Sequence, residues 1–176
     1  MAAVLLVGAV LFLQGGDTGA AQMPAGAFSA AETAPAEIAT LVESEFTERY
    51  ENATHRFSFM YPEGFTVRSF SADGGESILL ERGGDGLQIF ITPFDEIGDI
   101  TEERIRKDIP DMRIDGAQPV ELGTSGKGLA FISDNAEWGG NSREVWFAFN
   151  GNLYQLSTYA RLDMLLKAIL NTWKFE

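Results

Sequence analysis

Apolar and polar residues alternate through most of the chain after Tyr50, and short turns rich in glycine interrupt the alternation. A period of two is typical of strands that bury one face. Strands are therefore predicted over 57–61, 65–70, 77–81, 87–92, 118–122, 128–133, 143–149 and 153–159. The first two are expected to form a hairpin across the turn Pro62-Glu63-Gly64.

The turn at Asn150-Gly151 is the strongest local signal, because this dipeptide favours the tight turn of a two-residue hairpin. It joins the last two predicted strands. Whether the turn centres on Asn150-Gly151 or on Gly151-Asn152, the same residues share a face. That face carries Val145, Phe147, Phe149, Tyr154, Leu156 and Thr158, and the opposite face carries Trp146, Leu153 and Tyr159.

Three segments have helical spacing instead. The segment 36–48 is predicted to be an amphipathic helix, and a short helix is predicted to begin at an Asp99 N-cap and to end before Pro110. The closing helix has an apolar stripe that must be buried, and the ring-bearing face of the preceding hairpin is its natural cover. This stripe consists of Leu162, Leu165, Leu166, Ile169, Leu170 and Trp173. The opposite hairpin face then needs other helices as a second layer, or has a binding role.

The first 21 residues contain the uncharged, largely apolar run Ala2–Leu13, which is followed by small residues. Such a run is typical of a secretory signal peptide, although no basic residue precedes it. The alternative is part of a membrane anchor. Residues 22–35 are predicted to be a flexible tether. The chain is therefore expected to lie outside the cytoplasmic membrane, either secreted or membrane-anchored.

Composition excludes several classes of function. The chain has 26 acidic and 13 basic residues and a net charge of −13, so nucleic acid is not an expected partner. The absence of cysteine excludes disulfides and thiolate chemistry. His55 is the single histidine, and no serine motif accompanies it, so neither a multi-histidine metal site nor a serine hydrolase is expected.

Several short stretches together carry a family resemblance. They are Tyr50-Glu-Asn, the aromatic strand and turn 57–65, Trp146-Phe147, the strand 151–156 and the closing Leu170-Asn-Thr-Trp-Lys-Phe175. From Tyr50 to Glu176 the chain resembles the PsbP/Mog1-like superfamily, which includes the extrinsic PsbP proteins of photosystem II and exported bacterial relatives. The resemblance implies an α+β fold in which an antiparallel sheet is packed between helices, an α/β/α sandwich. It also implies a non-enzymatic role in docking onto a larger assembly.

The loops offer two candidate sites. The glycine-rich stretch 123–128 lacks the spacing of a phosphate-binding loop and is predicted to be a turn. The loop after strand 128–133 offers the oxygen ligands Asp134, Glu137 and Asn141, which suit calcium or manganese, although the spacing is not that of an EF-hand. The same loop carries Trp138, which is predicted to be exposed.

No catalytic or cofactor-binding residue is predicted. The first hypothesis is a non-enzymatic module that docks a protein complex at the membrane surface through Trp138, Trp146 and Tyr159. The second is a domain that binds a divalent cation or a small ligand with its acidic loops. A hydrolase that uses paired carboxylates is the third, and it requires an acid pair in a cleft.

Overall fold

The computed structural model describes residues 46–176, except for residues 73, 97 and 124–125. The predicted signal or anchor, the tether and most of the predicted helix 36–48 lie outside these residues. Glu48, the last residue of that predicted helix, begins the first strand. None of the helices in the described part has the length and apolar character needed to cross a membrane.

Ten strands and two α-helices make up the described part. The strands are β1 (Glu48–Asn52), β2 (Phe57–Tyr61), β3 (Thr66–Ala72), β4 (Gly75–Arg82), β5 (Asp85–Pro93), β6 (Asp115–Leu122), β7 (Gly126–Ser133), β8 (Ser142–Phe149), β9 (Asn152–Tyr159) and β10 (Lys174–Phe175). The helices are α1 (Glu102–Asp108) and α2 (Asp163–Asn171). Single 3₁₀ turns occur at Ala136–Trp138 and Ala160–Leu162.

The strands form two antiparallel sheets. Seven of them build a large sheet in the order β3-β4-β5-β9-β8-β7-β6, and three build a small sheet in the order β1-β2-β10. The prediction of an antiparallel sheet packed between helices is therefore wrong: the fold is β-rich, and a second sheet takes the place of a helical layer. The helices are too short for that role, because α1 has seven residues and α2 has nine.

The first two predicted strands exist, but they do not form a hairpin with each other. β2 pairs with β1 and β10, whereas β3 pairs with β4 in the other sheet. The turn at Gly64, with φ of +86°, carries the chain from one sheet to the other. An alternating pattern identifies strands but not their partners, so the predicted pairing was wrong while both strands were right.

The hairpin at Asn150-Gly151 is confirmed. Both residues have positive φ, 46° and 74°, as the tight turn requires. Phe147 faces Tyr154 and Val145 faces Leu156 across β8 and β9. Their shared face forms the main core with β2, β4 and β5 and with the stripe of α2. Within this core, the Trp173 ring stacks on Phe57 at 4.6 Å between ring centroids. The prediction that the closing helix covers this face is confirmed.

The opposite face of the large sheet is covered by the segment between β5 and β6. Ile100, Ile105 and Ile114 from that segment pack on Trp146 and Leu153. Helix α1 lies within this segment and is capped by Thr101, whose hydroxyl accepts a hydrogen bond from the Arg104 N–H at 3.2 Å. The predicted cap, Asp99, lies two residues too early. Only Ile105 of α1 is buried, so the helix leaves much of this face to loops.

Candidate functional site

A cavity of about 360 Å³ lies on the second face of the large sheet, beside the apolar cover just described. Its floor consists of two rows of side chains that cross the neighbouring strands β8, β9 and β5. Strand register places Glu144 opposite Ser157 and Ser157 opposite Gln88. The next row is Trp146, Gln155 and Phe90.

The walls come from two connecting segments. Ile109, Asp111 and Met112 follow helix α1 and form one wall. Ser133 at the end of β7 and the residues 134–136 after it form the other. Asn135 begins the 3₁₀ turn there, because its side-chain oxygen accepts a hydrogen bond from the Glu137 N–H at 3.1 Å. The cavity thus combines a rigid floor on a sheet with walls on loops, an arrangement typical of ligand sites.

Glu144 is the most unusual residue of the floor, because it is 1% exposed in the middle of a sheet. Ser142 donates a hydrogen bond to its Oε1 at 2.6 Å, and Ser157 donates one to its Oε2 at 2.5 Å. The indole N–H of Trp146 donates to Oε2 at 3.3 Å. Burial raises the pKa of Glu144, and these hydrogen bonds together with one from Asn135 oppose the rise without cancelling it.

The other polar side chains of the floor differ in their partners. Gln88 donates its amide N–H to the Ser77 hydroxyl at 2.9 Å, and its amide oxygen accepts no hydrogen bond from the residues that the structure describes. Gln155 is 5% exposed, lines the cavity, and makes no side-chain hydrogen bond to any residue that the structure describes. Neither of its amide atoms is among the fully buried polar atoms without a partner, so the amide is open to the cavity and suited to bind a ligand.

The lining has a pronounced charge. Its ionisable side chains are Glu144 on the floor and Asp111 and Asp134 on the walls. The lining contains no lysine, arginine or histidine, as far as the structure describes the chain. The apolar part of the lining is formed by Phe90, Trp146, Ile109 and Met112.

The ring residues predicted to bind a partner behave differently. Trp138 and Trp146 are 3% and 2% exposed, so the prediction of an exposed Trp138 is wrong. The 3₁₀ turn folds the loop back, and the Trp138 ring lies against the backbone of Gly86 and 5.1 Å from the Tyr159 ring. Tyr159 is half-buried. Trp138 therefore closes one end of the sheet instead of offering a free surface.

The predicted cation ligands are not assembled into a site. Asp134 and Asn141 are exposed, and the Arg113 N–H donates to Asp134 Oδ1 at 3.4 Å. Across the described residues, no three histidine, aspartate or glutamate side chains converge as metal ligands. Glu137 has its backbone N–H bound by Asn135, and its side chain is half-buried.

His55, the single histidine, lies far from these loops in the connection between β1 and β2. Its Nε2 is 3.2 Å from Glu76 Oε2, and Asn52 also donates to Glu76, at 3.1 Å. This polar contact joins the small sheet to strand β4 of the large sheet.

Sequence reasoning did not single out Glu144. A signal was present, because Glu144 lies two residues before Trp146 and therefore shares its face of a central strand. A charged residue on a covered sheet face must be paired, hydrogen-bonded or functional. The walls could not have been found this way, because they depend on how two loops fold over the sheet.

Comparisons with known proteins give one informative result. No protein-family model matches the chain, and no curated protein matches it. Among solved structures, the chain is similar to the solution structure of cyanobacterial PsbP (CyanoP) from Synechocystis sp. PCC 6803, with a TM-score of 0.53 and 12% sequence identity. The match covers 73% of this chain and 92% of that chain. At this identity the likeness concerns the fold alone, and the chain has a PsbP-like fold.

Proposed function

We propose that the chain is a non-catalytic binding module that holds a small organic molecule in the cavity above Glu144. The observation that carries the proposal is the amide of Gln155, which is open to the cavity and has no hydrogen-bond partner among the described residues. It lies beside the buried carboxyl of Glu144, and both are on the floor of a cavity large enough for such a molecule. Ligand sites are typically partly apolar cavities in which a few polar groups fix the orientation of the ligand, and this cavity has that composition.

This proposal develops the second hypothesis from the sequence and changes its location. The acidic loop residues Asp134, Glu137 and Asn141 do not form the proposed site by themselves; strands β5, β8 and β9 provide most of it. Calcium and manganese are not favoured as ligands, because Glu144 already accepts hydrogen bonds from two serines and a tryptophan, whereas hard cations need six or more free oxygens.

Docking to a protein complex at the membrane surface stays a prediction. It rests on the sequence resemblance, while two of the three rings expected to mediate it are buried. Export across the cytoplasmic membrane also stays a prediction, based on the apolar run Ala2–Leu13. A binding module outside the membrane is compatible with both, because the lining residues that the structure describes all lie between Gln88 and Ser157.

Binding can be tested by amide-resolved NMR titration with two small probes, 2-phenylethanol and 2-phenylethylamine. At least one probe is expected to shift the amide signals of residues that line the cavity, such as Gln88, Asn135 and Gln155. The variant Met112→Trp fills the space between wall and floor and is expected to weaken binding at least tenfold. Met164→Trp is the matched control, because Met164 is 46% exposed on helix α2 and does not line the cavity.

Two results would contradict the proposed function. One is that neither probe shifts the signals of the lining residues at millimolar concentration. The other is that Met112→Trp and Met164→Trp bind both probes as the unmodified chain does, because the probes would then bind elsewhere.

A further inference from the structure

The charge of the lining indicates which ligands the cavity selects. All three ionisable side chains in it are acids: Glu144, Asp111 and Asp134. No basic side chain of the described residues lines the same space to neutralise them. An anionic ligand would enter a site of its own sign, whereas a cation would gain attraction that strengthens in the low dielectric of the floor.

The remaining contacts fit an organic cation instead of a metal ion. The amide oxygens of Gln155 and Gln88 can accept hydrogen bonds from an N–H donor, and neither oxygen accepts one from the described residues. Beside them lie the rings of Phe90 and Trp146, whose faces attract a positive charge and whose area suits an apolar body.

We infer that the cavity above Glu144 is a site for a small organic ammonium ion, with the ammonium group at the Glu144, Gln155 and Gln88 end and its apolar part against Phe90, Trp146 and Met112. The inference rests on the proposed function, because it names the class of ligand for the same cavity. The charge of the whole chain, −13, would raise the local concentration of such a ligand.

Three probes of similar shape and different charge test this inference. They are 2-phenylethylamine, a cation at neutral pH, 2-phenylethanol, which is neutral, and 3-phenylpropionate, an anion. Dissociation constants are measured by calorimetry or NMR at pH 7.5 and constant ionic strength. The amine is expected to bind at least about tenfold more tightly than the alcohol, which corresponds to about 1.4 kcal/mol. The propionate is expected not to bind measurably.

The variant Glu144→Gln assigns the preference to this carboxyl. It is expected to reduce the ratio of amine affinity to alcohol affinity at least fivefold. Because this substitution lies in the sheet interior, the double variant Asp111→Asn, Asp134→Asn serves as a second test at exposed positions. It is expected to lower the ratio of amine affinity to alcohol affinity about twofold to threefold.

The outcomes separate the two proposals. If no probe binds in the cavity, the proposed function itself fails. If the alcohol or the propionate binds in the cavity as tightly as the amine, the ligand class is wrong and the cavity remains a binding site. The Met112→Trp variant fills the cavity but keeps the charge of the chain. If the amine still bound to this variant, its binding would be due to general attraction to the acidic surface. That result would also overturn the inference.

Discussion

Buried polar side chains of this domain differ in whether they have partners. Glu144 accepts hydrogen bonds from Ser142, Ser157 and Trp146, among others. Tyr154 is equally buried in the main core, yet its hydroxyl has no hydrogen-bond partner among the residues that the structure describes. Burial, and secondarily the charge of Glu76, raises the pKa of Tyr154 to about 12. The hydrogen bonds offset part of the cost of burying the Glu144 carboxyl, whereas no described residue offsets the cost of burying the Tyr154 hydroxyl.

Removing the Tyr154 hydroxyl is therefore expected to do no harm. Tyr154→Phe should leave the free energy of unfolding unchanged or raise it by about 1 kcal/mol, since the desolvation cost of the hydroxyl disappears. Tyr154→Ala, in contrast, should lower it by about 3–5 kcal/mol, because the ring packs on Phe147 and Phe57. Urea denaturation of the two variants checks this. A loss of more than about 1 kcal/mol in Tyr154→Phe would show that the hydroxyl has a stabilising contact.

Gly123 requires glycine for two reasons. Its φ is +53°, and a Cβ atom there would lie 1.9 Å from the carbonyl oxygen of Trp173. Gly116 has a similar φ, +62°, but open space around it. Gly116→Ala should therefore cost about 1–2 kcal/mol, the penalty of the left-handed conformation alone. Gly123→Ala should cost a further 1–3 kcal/mol or more, because backbone must move. Equal losses in thermal or urea denaturation would contradict the close contact.

Helix α2 stabilises the fold through one face. Leu166, Ile169 and Leu170 are buried in the main core, and Thr172 just beyond the helix accepts a hydrogen bond from the Met60 N–H at 2.9 Å. The helix thereby ties the large sheet to β2 of the small sheet.

Substitutions on the two faces of α2 should differ sharply. Leu166→Ala is expected to lower the free energy of unfolding by about 2–5 kcal/mol, the usual cost of a cavity in a core. Met164→Ala on the exposed face should change it by less than about 0.5 kcal/mol. Denaturant titrations of both variants measure this. If Met164→Ala proved as damaging as Leu166→Ala, the outer face of α2 would have to be buried against something.

The elements were predictable to different degrees. The hairpin of β8 and β9 follows from Asn150-Gly151 and local alternation, so both its register and its faces were predicted correctly. The apolar stripe of α2 also follows from local spacing, so the burial of this helix face was predicted correctly as well. The pairing of β2 with β1 and β10 joins positions more than 110 residues apart in the case of Phe57 and Phe175, and no local pattern encodes it. Local patterns therefore could not predict the small sheet. For the same reason they could not show that a sheet takes the place of the expected helical layer.

The candidate site was predictable only in part. The opposite hairpin face, with Trp146 and Leu153, was expected to need a second layer or a binding role, and the cavity lies on this face. Its walls depend on the long connections 94–114 and 134–141, whose paths over the sheet are set by tertiary packing. Trp138 illustrates the difficulty, because a tryptophan in a polar loop was expected to be exposed but is buried by a single turn.

At the scale of the whole molecule, Glu144 should make stability depend on pH. Burial raises its pKa in the folded state, whereas the unfolded chain has the ordinary value of about 4.3. The folded state therefore binds this proton more tightly. The resulting stabilisation is fully present below about pH 4.3 and is lost as the pH rises through the pKa of the folded state.

The variant Glu144→Gln isolates this effect from the other acids. The difference in unfolding free energy between the unmodified chain and the variant should fall as the pH rises from about 4.3, by about 1.4 kcal/mol for each unit by which the pKa is raised. Above the pKa of the folded state it should level off. Urea denaturation from pH 4 to 8 measures this difference. A difference that is constant, or that rises with pH, would show that Glu144 is not destabilised by burial.

The most direct test of the ligand cavity is a ¹³C NMR titration of the Glu144 side-chain carboxyl, with and without saturating 2-phenylethylamine. Without the amine, the pKa of Glu144 is predicted to lie above about 4.3, because the carboxyl is buried. With the amine, it is predicted to fall, because a bound cation stabilises the carboxylate. A pKa of 4.3 or below in the free protein, or one that the amine leaves unchanged, would contradict a buried carboxyl that faces a cation-binding cavity.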